Sequence, residues 1–160
     1  MAVPSPLCCA NIVPNKSQDS QHSQHSPSYL LIIPMTISRN SRTGKPSFPG
    51  SDLGTFTGSV WVDPALVADG ISVGNVNFSP RARTHWHYHK GGKLLRVMAG
   101  SGWVCDKGGE PQMINVRDLV WCPPGTTHWH GADDESYMVH QAVSHGKVEC
   151  YEEYGEKMKK

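Results

Sequence analysis

The sequence predicts an all-β fold, a sandwich or a barrel. Its 160 residues include 16 Gly and 12 Pro, and no long stretch repeats its apolar residues at helical spacing. Nine short runs rich in β-branched and aromatic residues are separated by turn-forming clusters, the pattern of sandwiches and barrels. Histidines alternate with aromatic residues in THWHYH (84–89) and HWH (128–130), and a two-residue period belongs to strands.

In chain order, residues 1 to about 28 are rich in Ser, Gln and Pro and carry the near-repeat SQHSQHS. Such a segment has too little apolar surface to offset its ordering entropy. Residues 1–34 therefore read as a flexible N-terminal extension, in which His22 and His25 bind metal at most adventitiously. Met35 opens a more structured stretch, MTISRN, and is a second candidate start. Residues 41–54 (SRTGKPSFPGSDLG) are loop-like. The domain is assigned to 35–160, with the barrel core at about 55–154. Its expected strands are 56–62, 71–78, 83–89, 93–100, 102–106, 111–116, 119–122, 127–131 and 136–143. The turns between them include DPALVADG, KGG (90–92), DKGGE, PPG (123–125) and ADDE. The closing GKVECYEEYGEKMKK reads as a last strand followed by a short helix or a frayed end.

Composition excludes several classes. The formal net charge is +1 with the signs interspersed, so no basic stripe argues for nucleic acid. The apolar run Tyr29–Ile33 is too short to span a bilayer. It lacks a basic preceding region and is broken by Pro34, so it makes a poor secretory signal. Cys8, Cys9, Cys105, Cys122 and Cys150 are an odd set without framework spacing. They read as thiols of a reducing compartment, which points to the cytoplasm. Cys105 and Cys122 read as small buried apolar residues.

Six of the nine histidines carry the functional expectation. On a strand, His85, His87 and His89 share one face, as do His128 and His130, and His140 lies in the late apolar run YMVHQAV. His87 and His89 are about 7 Å apart along a strand, close enough for both imidazoles to reach one ion. The PPG turn aims His128 back across a barrel. Three histidines with an open position form a common catalytic metal arrangement.

These residues resemble the cupin family. The run from Gly74 through His89 to Gly100 is similar to its first motif, and DLVWCPPGTTHWHGA is similar to its second. More narrowly, the stretch Met35–Tyr154 resembles small single-domain cupins of the RTxWHxHxxGQ type, which include bacterial manganese-dependent hydroxynitrile lyases. The matching runs are FTGSVWVDP, RTHWHYHKGGKLLRV, VWCPPGTTHWHGA and YMVHQAV. The resemblance implies a double-stranded β-helix (jelly-roll barrel), often a homodimer, with a divalent metal (Mn, Fe or Zn) inside. It assigns the metal to His87, His89 and His128, and proton transfer to His130 and His140. The substrate pocket is expected to involve His85, Val76, Phe78 and the Tyr137–Met138 step that opens the last strand run. Trp86, Trp103, Trp121 and Trp129 are assigned to core or dimer-interface packing.

Two positions depart from the pattern. Lys93 stands where the family has a Gln or Glu ligand. An ammonium repels a divalent cation, so Lys93 is either a catalytic group in the pocket or the reason the site holds no metal. Arg117 stands where the family has a turn glycine. Three functions fit the constellation. One is an enzyme using acid–base chemistry of lyase, isomerase or cyclase type on a carbonyl- or hydroxyl-bearing small molecule, with His130, His140 and Lys93 as its catalytic residues. The second is a three-histidine Fe(II) dioxygenase. The third is a ligand-binding cupin without catalysis. The first is favoured, with a small-molecule substrate and neither nucleic acid nor membrane as partner.

Overall fold

Alternation of side chains along the strands decides what this barrel encloses. The computed structural model describes residues 35–39 and 46–150. The chain divides at Pro34/Met35, and every described residue belongs to the second unit. The expectations for residues 1–34 and for 151–160 lie outside the described residues. No helix among the described residues is long and apolar enough to cross a membrane.

Among the described residues the strands are β1 (Phe48–Pro49), β2 (Phe56–Thr57), β3 (Val60–Ala68), β4 (Ile71–Phe78), β5 (Arg83–Thr84), β6 (His87–His89), β7 (Lys93–Asp106), β8 (Gln112–Asn115), β9 (Leu119–Cys122), β10 (His128–Ala132), β11 (Met138–His145) and β12 (Val148–Cys150), with a 3-10 turn at Gly50–Leu53. All the pairings between them are antiparallel. One sheet runs β1-β3-β4-β11-β7-β9. The other runs β8-β7-β10 and continues onto the β5 and β6 segments, which are flanked by β2 and β12. This is the predicted all-β double-stranded β-helix.

Strand β7 joins the two sheets. Its first half pairs with β9 and β11, and its second half with β8 and β10. The expected runs 93–100 and 102–106 are therefore one strand. It turns at Gly100, whose φ is +70°. A Cβ there would lie 1.8 Å from the carbonyl oxygen of Tyr137, so only glycine lets β7 and β11 approach this closely.

The segment DPALVADG is not a loop. Strand β3 continues through Ala68, and a bulge between Pro64 and Leu66 absorbs the proline that cannot donate to the ladder. The reversal is confined to Asp69 and Gly70, with φ of 50° and 77°, as a two-residue hairpin requires. Arg117 keeps the turn before β9 by adopting the left-handed conformation itself, at φ 80°.

Inside the barrel lies an apolar cluster of Val60, Phe78, Ala82, Val97, Ile114, Ala132 and Met138. The first residues of β7 alternate cleanly, with Lys93, Leu95 and Val97 buried and Leu94, Arg96 and Met98 exposed. Strand β11 buries Met138, His140, Ala142 and Ser144 in the same way. All five residues of β10 are buried, Trp129 included. Trp103 donates its indole N–H to Asp133 Oδ1 at 3.0 Å, whereas Trp121 is 57% exposed.

Candidate active site

Five histidines and one lysine project into the interior from four strands. His87 and His89 come from β6, Lys93 from β7, His128 and His130 from β10, and His140 from β11; all six are buried. Strand pairing sets His128 opposite His87, and their ring centroids are 4.4 Å apart. The rings of His87 and His130 are 5.2 Å apart and those of His87 and His89 5.3 Å. His89 and His128 are separated by 6.2 Å.

Two of these rings are oriented by their own backbone. His87 Nδ1–H donates to the carbonyl of His85 at 3.0 Å, and His128 Nδ1–H donates to the carbonyl of Thr126 at 2.8 Å. Each therefore presents a bare Nε2 toward the interior, which is how metal-ligating histidines are commonly fixed. The PPG turn supports this arrangement, because Gly125 N–H donates to the carbonyl of His89 at 3.0 Å. His128 Nε2 and both ring nitrogens of His89 are buried without a hydrogen-bond partner among the described residues. One ligand atom from each of His87, His128 and His130 lies within 4.8 Å of the others, so this group could hold a metal ion.

All five imidazoles are held neutral. Burial is the foremost cause in each, and the charge of Lys93 adds to it. His89 is lowered to about 3 and His128 to about 4. His87, His130 and His140 are lowered well below the ordinary imidazole value. Neutral, pre-oriented imidazoles suit a divalent cation as a donor set. The second charge at this site is Lys93, whose Nζ hydrogen-bonds His130 Nε2 at 3.0 Å.

A cavity of about 240 Å³ opens onto this cluster, lined by Leu53, Thr55, Phe56, Val76, Thr84, His87, His89, Lys93, His130 and Val148. It is smaller than the roughly 300–1,000 Å³ of pockets that take drug-sized ligands, so it suits a small substrate. One wall is apolar and the other carries imidazoles and an amine. Thr84 Oγ1 accepts the His130 backbone N–H at 3.1 Å, tying this wall to β10. A second hollow of about 420 Å³ between β8 and β9 contains Cys105 and Cys122 but no histidine. Burial, the largest cause for both, raises each thiol, Cys122 to about 11, so neither is a ready nucleophile.

Of the residues singled out from sequence, His87, His89, His130, Lys93 and Val76 line the cavity. His128 contributes to the cluster from behind them. His140 is not in the cavity wall; its ring packs 4.8 Å from that of His130, and both rest on Phe78. Phe78 and Met138 belong to the apolar cluster beneath the site, and Tyr137 points outward, 54% exposed. His85 does not share the face of His87 and His89. Gly131 pairs with Arg83 and His128 with His87, so three steps on β10 match four on the other strand. The extra residue is a bulge at 85–86 that reverses the alternation. Thr84, His87 and His89 consequently point inward, and His85 does not line the cavity.

Leu53, Thr55, Phe56, Thr84 and Val148 were not apparent from sequence. They come from the 3-10 turn, from short strands flanking the barrel and from β12, where no periodic pattern marks an inward face.

Residues 74–143 match the cupin domain family. The chain is 43% identical over 91 residues to an (R)-mandelonitrile lyase of Granulicella tundricola, an alignment covering 55% of this chain and 70% of that protein. Among solved structures it is similar to a cupin-like protein of Thermotoga maritima, with 38% identity and a TM-score of 0.61 over 64% of this chain and 84% of that one. A predicted oxalate decarboxylase from the same organism shares the fold, with 16% identity and a TM-score of 0.59 over 70% of this chain and 100% of that one.

Proposed function

The chain belongs to the cupin family, and from that premise we propose that it is a small-molecule lyase working by acid–base chemistry in the imidazole-lined cavity. The observation that carries this reading is the buried Lys93–His130 pair, joined at 3.0 Å in the cavity wall. Two nitrogens in hydrogen-bond contact, shielded from water, form a unit that can accept and return one proton.

The substrate class is a cyanohydrin, supported by the 43% identity to the mandelonitrile lyase. The hydroxyl proton passes to the Lys93–His130 pair and resides on Lys93 Nζ, which enters the step as the free amine and leaves it as the ammonium, because burial keeps the His130 imidazole neutral. The carbon–oxygen bond becomes a carbonyl as the bond to the nitrile carbon breaks, and its electron pair leaves with cyanide. Lys93 then returns the proton, giving an aldehyde and HCN. The ammonium also stabilises negative charge developing in the transition state. His140, behind His130 and against Phe78, positions that ring. Leu53, Phe56, Val76 and Val148 bind the apolar substituent of the substrate. His87, His128 and His130, with His89 alongside, would hold a divalent ion such as Mn, Fe or Zn, which when bound would supply Lewis-acid polarisation of the substrate oxygen in place of the Lys93–His130 contact.

The protein is also proposed to act as a cytoplasmic homodimer. Cys105 and Cys122 are free thiols. Cross-strand pairing lines up Trp121, Leu94, Val143, Val73 and Leu66 across five strands of one sheet, with Trp121 and Leu94 exposed. Light scattering at micromolar concentration gives the mass.

The test of the reaction is release of benzaldehyde from racemic mandelonitrile, followed by ultraviolet absorbance with and without added Mn²⁺. Wild type accelerates release, and His130→Gln loses about 100-fold or more in kcat. Absence of acceleration under both conditions overturns the lyase reading. Oxygen uptake without carbonyl release replaces it with dioxygenase chemistry.

A further inference from the structure

His130 Nε2 has one lone pair in the plane of its ring, and the structure gives that lone pair to Lys93 Nζ at 3.0 Å. The same histidine completes the group of three that could hold an ion. We propose that Lys93 is a built-in competitor for this site, so that a divalent ion binds only by displacing its side chain from His130. The inference rests on reading the cluster as a metal site.

Three features support competition. Lys93 is held at its backbone by pairing with Cys122 on one side and Ser144 on the other, so exchange must be a movement of its flexible side chain rather than of the strand. Its side chain lines the same cavity as His87, His89 and His130, with Nζ 3.0 Å from His130 Nε2, which places it among the imidazoles. An ion added to the same interior meets a like charge at low effective dielectric unless the ammonium withdraws. Removing Lys93 therefore relieves two costs, a blocked ligand and a repulsion, and only the first depends on His130.

That difference sets the experiment. Chelator-treated wild type, Lys93→Met, His130→Ala and the double variant are titrated with Co²⁺ alone, with isothermal calorimetry for affinity and the visible Co²⁺ spectrum for nitrogen ligation. Circular dichroism melts on each protein check the fold, and Lys93→Gln serves as a second variant should Lys93→Met fail to fold. Competition predicts that Lys93→Met binds Co²⁺ roughly 10- to 100-fold more tightly than wild type, the scale on which outer partners tune metal sites. It also predicts that this gain is at least about threefold smaller when His130 is already alanine, because only the repulsion is then left to relieve. A gain of equal size in both backgrounds assigns the effect to charge alone and overturns the proposal. Equal affinities in wild type and Lys93→Met also overturn it, leaving a metal site indifferent to Lys93. Absence of binding in every variant overturns it as well and removes metal from the functional reading. Mandelonitrile turnover, measured separately, still decides the lyase reading.

Discussion

Arg117 holds a left-handed backbone conformation at φ 80°, and its replacement by glycine is expected to stabilise the protein. The turn cannot relax around it. Arg117 N–H donates to the Val97 carbonyl at 3.0 Å, Val97 N–H donates to the Asp118 carbonyl at 3.1 Å, and Asp118 N–H donates to the Asn115 carbonyl at 3.0 Å. Asp118 Oδ2 accepts the Asn115 N–H at 2.7 Å. These bonds pin the turn to β7 from both sides, so the side chain must tolerate the conformation. A left-handed L-residue costs about 1–2 kcal/mol. Glycine removes that cost but gives back about 0.4–1 kcal/mol through the extra freedom of the unfolded chain. The net expectation for Arg117→Gly is stabilisation by about 0.5–1 kcal/mol, a rise in melting temperature of roughly 2–4 °C. Arg117 is exposed, so Arg117→Ala, which keeps the backbone cost, is expected to change stability by less than about 0.5 kcal/mol. Urea melts of the three proteins measure both differences. A destabilised glycine variant, or an alanine variant as stable as the glycine one, would refute the assignment of the cost to the backbone.

Three further outcomes are expected. Folded-state values of the buried imidazoles lie below the ordinary 6.5, so below about pH 6.5 the unfolded chain binds protons that the folded chain does not. Stability is then complete above that pH and is lost as pH falls toward about 4 for His128 and about 3 for His89. The loss approaches about 1.4 kcal/mol per pH unit per imidazole, and urea melts of chelated protein at pH 7.5 and 5.0 read it; equal stability at the two values contradicts neutral burial. Gly100→Ala places a Cβ 1.8 Å from a carbonyl oxygen at φ +70°, so a loss of at least about 3 kcal/mol or of soluble protein is expected, and a wild-type melting temperature refutes the close approach. Leu53→Ala, at the apolar wall of the cavity, is expected to raise KM for an aromatic cyanohydrin by up to about 10-fold with little change in kcat, whereas a fall in kcat at constant KM denies Leu53 a role in substrate binding.

The barrel was legible because strand alternation and turn residues are local properties that tertiary packing here leaves in place. Lys93 was legible as an interior residue by the same rule, two positions before Leu95 and four before Val97. DPALVADG misled because Pro, Asp and Gly favour turns, while the actual strand carries Pro64 through a bulge that only pairing with β4 reveals. His85 misled for the opposite reason. HWHYH alternates perfectly in sequence, and nothing within it discloses that the ladder with β10 gains one residue at 85–86. The apolar wall of the cavity was hidden because Leu53, Phe56 and Val148 come from segments far apart in the chain that meet only once the barrel has closed.

The extra residue between Thr84 and His87 also separates two kinds of change that are usually inseparable. Deleting one residue there restores step-for-step pairing with β10, and the uninterrupted alternation from Ala82 and Thr84 still carries His87 and His89 inward, whereas flattening the bulge with both residues in place turns them toward the outer surface without altering either. A barrel of this design can therefore shorten by one residue and keep its reaction centre, or lose that centre at constant length while every imidazole stays in the sequence. Matching such chains by their histidines alone equates proteins whose interiors differ, and the pairing of Arg83 and His87 with β10 is the better guide to which of them has the site.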